Sequence, residues 1–338
     1  MGFFRLITFA IALIVSTMDG SVGETPPIYD DDLQIDDDTN EKSVEAVDHF
    51  LVCPPRDVAR GEGRFVVAIK GNNTFCEGSI IDRNWVLTSA RCLSSLVDSN
   101  FQVIAGVRSL VRPFEQHTSQ IREITNHNYV NIHEGYTHDN PNSEESDKEQ
   151  NIDPHNIGLI YVKSPFDYDS AVQPIPLPLK ECLDDGRGKM YGWQLHKSLK
   201  LQTLDLQIID SDKCKVPWGD DSDIDSHHIC TQITGPCTSG PGSDEMMMEG
   251  PMDENSNTTS YYIDPTCGGN DGSAAVLVTP KVGEVLVGIL NYADIDCGES
   301  TRPIVYTSTF AYMDWIEKEI KKFSEKSKAT AKKRRPLT

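Results

Sequence analysis

The sequence predicts an all-β domain, a barrel or a sandwich, and three observations carry that prediction. From Phe65 onward the chain is a succession of short β-rich runs: "FVVAI", "GSIID", "WVLTS", "FQVIAGV", "IGLIYV", "KMYGW", "LDLQII", "AAVLV" and "VLVGILNY". Gly, Pro and Asp turns separate these runs, the pattern of many short strands rather than of strands alternating with helices. Nine cysteines occur without a Cys-x-x-Cys pair. In an oxidising compartment such cysteines are read as disulfides, not as metal or redox chemistry.

The order of elements starts with a targeting segment. Arg5 precedes the apolar run "LITFAIALIV", which is too short to span a bilayer, and small residues follow from Ser21 to Gly23. Residues 1–23 therefore read as a signal peptide, and the chain as secreted. Residues 24–52, "ETPPIYDDDLQIDDDTNEKSVEAVDHFLV", combine dense acid with few apolar positions and read as a disordered leader. Residues 53–323 form the domain. Two polar stretches, about 138–154 and 235–263, interrupt its rhythm and read as exposed acidic insertions.

At the end of the domain, "YMDWIEKEIKKF" places Trp315, Ile316, Ile320 and Phe323 on one helical face, which predicts a terminal helix docked on the domain. Residues 324–338 read as a basic tail. The formal net charge of -21 argues against nucleic acid or an anionic membrane as partner. No later segment is apolar enough to cross a membrane. Asn72 and Asn257 stand in acceptor sequons, so glycosylation is expected at both. His127, His133 and His138 lack the short ligand spacing of zinc sites; no metal and no cofactor is expected. The pair His227 and His228 reads as loop polarity.

Several longer segments resemble landmarks of the trypsin and chymotrypsin class of serine proteases, in that family's order. "FCEGSIIDRNWVLTSARC" resembles the segment that ends in the catalytic histidine, and "NIGLIYV" the strand bearing the acid. "QPIPLP" resembles the crossing between half-domains, "YGW" the opening of the second barrel and "CGGNDGSAAVLV" the nucleophile loop. "GILNYADIDCGESTRPIVYTSTFAYMDWI" resembles the substrate-facing strand through the terminal helix. The resemblance implies a double six-stranded β-barrel of chymotrypsin type with a C-terminal helix.

It also implies that the chemistry is gone. Arg91 takes the place of the base, and a guanidinium does not deprotonate in proteins. Asn156 replaces the acid, and an amide cannot stabilise an imidazolium by charge. Asp271 replaces the nucleophile serine, and Ser273, two positions on, is wrongly placed to act in its stead. Asn270 replaces the aspartate of the activation ion pair. In the specificity pocket, Pro265 stands at the floor while Ala293 and Ile304 replace wall glycines. Base and nucleophile touch in this architecture, so Arg91 and Asp271 are expected to form an ion pair, with Asn156 as a third partner.

The same resemblance implies the disulfides Cys76–Cys92, Cys214–Cys230 and Cys267–Cys297. It suggests Cys53–Cys182 as well and leaves Cys237 as the odd thiol, either free or in an intermolecular bridge. The function expected is that of a non-catalytic homologue, a regulatory cofactor or decoy that binds an extracellular protease, zymogen or inhibitor. Immune, clotting and reproductive fluids are the settings the resemblance offers. The alternatives are a hydrolase with an unconventional nucleophile, or a structural or carrier component linked through Cys237.

Overall fold

The computed structural model describes residues 55–111, 116–137, 152–179, 186–193, 199–209, 211–219, 222–234, 271–293 and 302–333. Of Ser211, of 327–333 and of three short strands at 50–52, 238–239 and 261–262, the backbone alone is described. These residues belong to one compact unit, Val47–Thr338. The signal segment, most of the leader, Cys53, Cys182, Cys237, Asn257, Pro265, Cys267, Asn270 and Cys297 lie outside the described residues.

Seventeen strands form three sheets among the described residues. The smallest joins β1 (Phe50–Val52), β13 (Thr238–Ser239) and β14 (Tyr261–Tyr262). The first large sheet holds β3 (Val66–Lys70), β4 (Phe75–Asp82), β5 (Trp85–Thr88), β6 (Phe101–Ala105), β7 (Gln120–Ile124), β8 (Val130–Ile132) and β9 (Gly158–Tyr161). Its order is β7-β6-β3-β4-β5-β9-β8, and every pairing is antiparallel.

The second large sheet closes on itself. Strands β10 (Arg187–Gly192), β15 (Ala274–Thr279), β16 (Gly283–Tyr292), β17 (Ile304–Ser308), β12 (His228–Ile233) and β11 (Gln202–Ile209) run in that order, and β11 pairs back with β10. Closure removes the unpaired edges that an open sheet would expose. A seventh short strand, β2 (Arg56–Asp57), is added outside β11. The two barrel-like sheets and the C-terminal helix are the all-β architecture expected.

The continuous apolar runs of the sequence resolve into alternating faces, each of them buried. In β3, Val67 and Ile69 enter the interior of the first barrel, while Val66 and Ala68 join a cluster shared by both barrels. In β5, Val86 faces the first barrel and Trp85 and Leu87 face the shared cluster. The second barrel repeats the device in β10, where Met190 points inward and Tyr191 into the shared cluster. Successive side chains of a strand leave on opposite faces, so a strand between two cores reads as one unbroken hydrophobic stretch.

Three helices complete the fold: α1 (Ala90–Ser94), α2 (Ser211–Trp218) and α3 (Met313–Lys333). Disulfides anchor the first two, with Cα atoms 6.0 Å apart in Cys76–Cys92 and 5.9 Å apart in Cys214–Cys230. The terminal helix docks Trp315, Ile316, Ile320 and Phe323 on the shared cluster, as the spacing predicts. Its backbone continues to Lys333, ten residues past Phe323, so much of the basic tail is helical. Alanines and lysines are good helix formers, and the composition of that stretch accounts for the extension. No described helix is long and apolar enough to cross a membrane.

Phe323 lies 4.1 Å from the ring centroid of Tyr161, 5.4 Å from Trp85 and 6.0 Å from Tyr129. Because the ring is only partly buried, Phe323→Ala is expected to cost about 2 kcal/mol, below the ~3–5 kcal/mol of a fully buried phenylalanine. A urea denaturation curve measures this, and an unchanged midpoint would show that α3 is docked elsewhere.

Candidate functional site: an arginine between two carboxylates

Helix α1 begins where β5 ends. Ser89 caps it, its hydroxyl accepting from the backbone N–H of Cys92 at 3.1 Å. Arg91 therefore sits in the first turn, where backbone N–H groups have no partner within the helix. Asn156 supplies one: its Oδ1 accepts from the Arg91 N–H at 2.9 Å. Asn156 is fully buried, and its Nδ2 has no hydrogen-bond partner among the described residues. An amide leaves an orphan donor where a carboxylate would have brought a second acceptor.

The guanidinium turns toward carboxylates from two directions. Its Nε donates to Asp153 Oδ2 at 2.7 Å, and one terminal nitrogen pairs with the same carboxylate. The other donates to Asp271 Oδ1 at 3.2 Å and to the backbone carbonyl of Asn291 at 2.9 Å. Burial pulls the pKa of Arg91 down, but the charges of Asp271 and Asp153 outweigh it and leave the value raised. The cluster thus holds a fixed positive charge and two acids.

The two acids differ in setting. The Asp153 side chain is 6% exposed and that of Asp271 33%, so Asp153 is the partner that needs the arginine most. Its backbone is clamped as well: Asn291 Oδ1 accepts from the Asp153 N–H at 3.0 Å, and Asn291 Nδ2 donates to the Asp153 carbonyl at 2.8 Å. Asn291 Nδ2 also donates to Thr307 Oγ1 at 3.1 Å, and that hydroxyl donates to the Asn156 carbonyl at 3.2 Å. Strands β16 and β17 of one barrel thereby hold the loop, residues 153–156, that leads into β9 of the other.

Arg91, Asn156 and Asp271, the three positions singled out by sequence, converge here. Asn156 serves the backbone of Arg91 rather than its guanidinium; the third charged partner is Asp153. Sequence reading missed it because residues 138–154 look like one polar insertion, whereas Ile152 and Asp153 are 4% and 5% exposed. The available signal was an acid flanked by Ile152 and Pro154, three residues before Asn156. Ile304, 4% exposed, packs inside the second barrel with Ala293 against it. His228 is buried at 4% exposure and paired with Asp225, so it is not loop polarity.

A third acid, Glu77, adjoins the cluster through the backbone of Asp271. It is fully buried at the start of β4. Its Oε2 accepts from Ser273 Oγ at 2.5 Å and its Oε1 from the Trp193 N–H at 2.7 Å, both on the second barrel. Its own N–H donates to the Asp271 carbonyl at 2.8 Å. Ser273, also fully buried, is thus tied down. Gly272 between them has φ +84, and a Cβ there would lie 2.0 Å from the Glu77 carbonyl oxygen; only glycine fits.

The sequence profile of the trypsin family matches residues 55–243. The chain belongs to the trypsin family. Lectizyme of Glossina austeni is 32% identical over 281 residues, covering 80% of this chain and 86% of that protein. Tonin of Rattus norvegicus is 24% identical, with 74% and 82% covered. The venom peptide isomerase heavy chain of Agelenopsis aperta is 26% identical, with 77% and 96% covered.

Two predictions follow from the buried charges. Arg91→Ala leaves Asp153 without its cation, and is expected to cost about 3 kcal/mol in a denaturation experiment. The double variant R91A/D153A should recover part of that loss. Burial also pushes Glu77 up from 4.5 to about 7, against the pull of Ser273 and Trp193. The folded protein then holds this proton more tightly than the unfolded chain, so stability falls as pH rises from about 4.5 to about 7 and levels off above. Glu77→Gln keeps a neutral acceptor and donor in place and should remove that slope from melting temperatures taken across the range.

Proposed function

We propose that this chain is a secreted, non-catalytic member of the trypsin family that acts by binding, as a regulatory cofactor or decoy in an extracellular protease network. The observation that carries the reading is Arg91. At the position where the family's resemblance puts the base, a guanidinium is occupied by Asp153, Asp271 and the Asn291 carbonyl. General base catalysis needs a group that accepts a proton near neutral pH, within reach of a nucleophile. Arg91 cannot accept one, and Asp271 carries no hydroxyl to give. Ser273 has its hydroxyl committed to Glu77 inside the protein.

What remains is a double barrel, a scaffold of the kind on which recognition is commonly carried by the connecting segments. The acidic stretches at about 138–151 and 235–263 favour a basic partner and a salt-sensitive complex. A protease, a zymogen or a protease inhibitor is the partner proposed, with Cys237 available for a covalent link to it.

Two measurements test this reading together. The purified protein should neither turn over a peptide library nor be labelled by a fluorophosphonate; turnover that tracks the protein and survives repurification would overturn the non-catalytic assignment. Used as bait in native extracellular fluid, it should recover a protease, zymogen or inhibitor, with recovery falling as salt is raised. Dependence of the capture on non-reducing conditions would assign the contact to Cys237.

A further inference from the structure

Outside the arginine cluster, aromatic and imidazole rings from four parts of the chain meet at one point. His133, just past β8, stacks on His155, with centroids 4.6 Å apart and planes 11° from parallel. His227, just before β12, approaches the edge of His155 at 5.6 Å. Tyr312, at the entrance to α3, touches all three, at 5.2 Å from His133, 5.8 Å from His155 and 5.5 Å from His227. Its hydroxyl is 2.8 Å from His155 Nδ1. Trp315, in the first turn of α3, lies 5.1 Å from His133.

The backbone is shaped to allow this stack. His155 is the only non-glycine of the described residues with a left-handed φ, +55. Gly135 packs so closely that a Cβ there would come within 2.6 Å of the His155 ring. His133 Nδ1 accepts the Gly135 N–H at 3.0 Å, so the neutral ring carries its proton on Nε2. A second proton must displace that hydrogen bond and place a cation against the stacked neighbour.

We propose that this stack is a proton-operated latch. When its rings are neutral it pins the start of α3 to the loops carrying His133 and His155; when they are protonated it releases that contact. Because His155 lies between Asp153 and Asn156, release also loosens the segment that holds Arg91. The latch works whether or not the arginine site hydrolyses anything.

The charges around the stack set its direction. Facing His133 are His155, His227, Glu134 and Lys318; facing His155 are His227, His228, Asp225 and Glu134. Asp225 is already engaged by His227 at 3.0 Å and His228 at 2.9 Å, and Glu134 accepts from Trp315 Nε1 at 2.9 Å. Burial, followed by the neighbouring imidazoles, holds both His133 and His155 below the ordinary value of 6.5. The unfolded chain then binds these protons more readily, so the stabilisation is present above about pH 6.5 and is lost as pH falls below it.

Glu77 titrates with the opposite sign over part of this range, so the test is a difference between proteins sharing it. Melting temperatures are taken from pH 7.5 to 5.0 for the wild type, for His133→Phe, which keeps a stacking ring without a charge, and for His155→Asn, which tolerates the left-handed backbone. The wild type should lose about 3 °C or more relative to each variant as pH falls through 6.5 to 5.5. A difference that does not change with pH overturns the latch. If neither variant folds, NMR titration of the wild-type imidazoles decides: His133 and His155 titrating below 6.5 support it, and titration at or above 6.5 overturns it. Hydrogen exchange of residues 313–323, corrected for its intrinsic pH dependence, should lose protection below pH 6 ahead of the barrel strands. Uniform loss across the molecule would instead mean general acid destabilisation and would overturn the latch.

Discussion

The guanidinium of Arg91, set between Asp153 and Asp271, is the interaction on which the centre of the molecule depends. A charge on an otherwise buried network is costly unless every group is matched. Here α1 supplies the cation, the approach to β9 supplies one acid, and the turn before β15 supplies the other. Asn291 and Thr307 then lock the backbone that bears Asp153. Elements from both barrels meet at this one side chain, so their relative placement is encoded in its geometry as well as in the shared apolar cluster.

The fold was legible because it rests on local signals. Short β-rich runs mark β3, β5 and β10 as strands, and turn residues divide them. The terminal helix was legible from the spacing of Trp315, Ile316, Ile320 and Phe323. The centre of the site was legible only in part. Arg91 and Asp271 could be paired because resemblance placed them at touching positions, whereas Asp153 is far from both in sequence and hidden at the edge of a polar stretch. Glu77 was equally hidden, since nothing in "FCEGSIID" distinguishes an outward glutamate from one buried against Ser273. Tertiary partners, not local pattern, decide such residues.

A fully buried acid and a pair of half-buried imidazoles act in opposite senses on the same scaffold. Glu77 is held neutral by desolvation and favours the folded state when protonated. The His133 and His155 rings are held neutral by desolvation and by neighbouring imidazoles, and favour the folded state when unprotonated. Desolvation raises the pKa of an acid and lowers that of a base, so one physical cause gives shifts of opposite direction. Their contributions therefore oppose each other across the acidic range, and the glutamate braces the barrels while the imidazoles brace the terminal helix.

On the reading proposed, the departures from the family's chemistry are interdependent rather than three separate losses. Returning Arg91 alone to histidine would set an imidazole beside Asp153 and Asp271, and two nearby carboxylates raise the pKa of an imidazole and keep it charged. That side chain would hold a proton at neutral pH instead of accepting one. Returning Asp271 alone to serine would leave Arg91 with Asp153, still a guanidinium and still without basicity. With Asp271 also returned to serine, the imidazole would keep one carboxylate, Asp153, beside it, so the base position and the nucleophile position would have to change together. On that reading, a site closed by its own ion pairs serves as architecture, and function falls to binding.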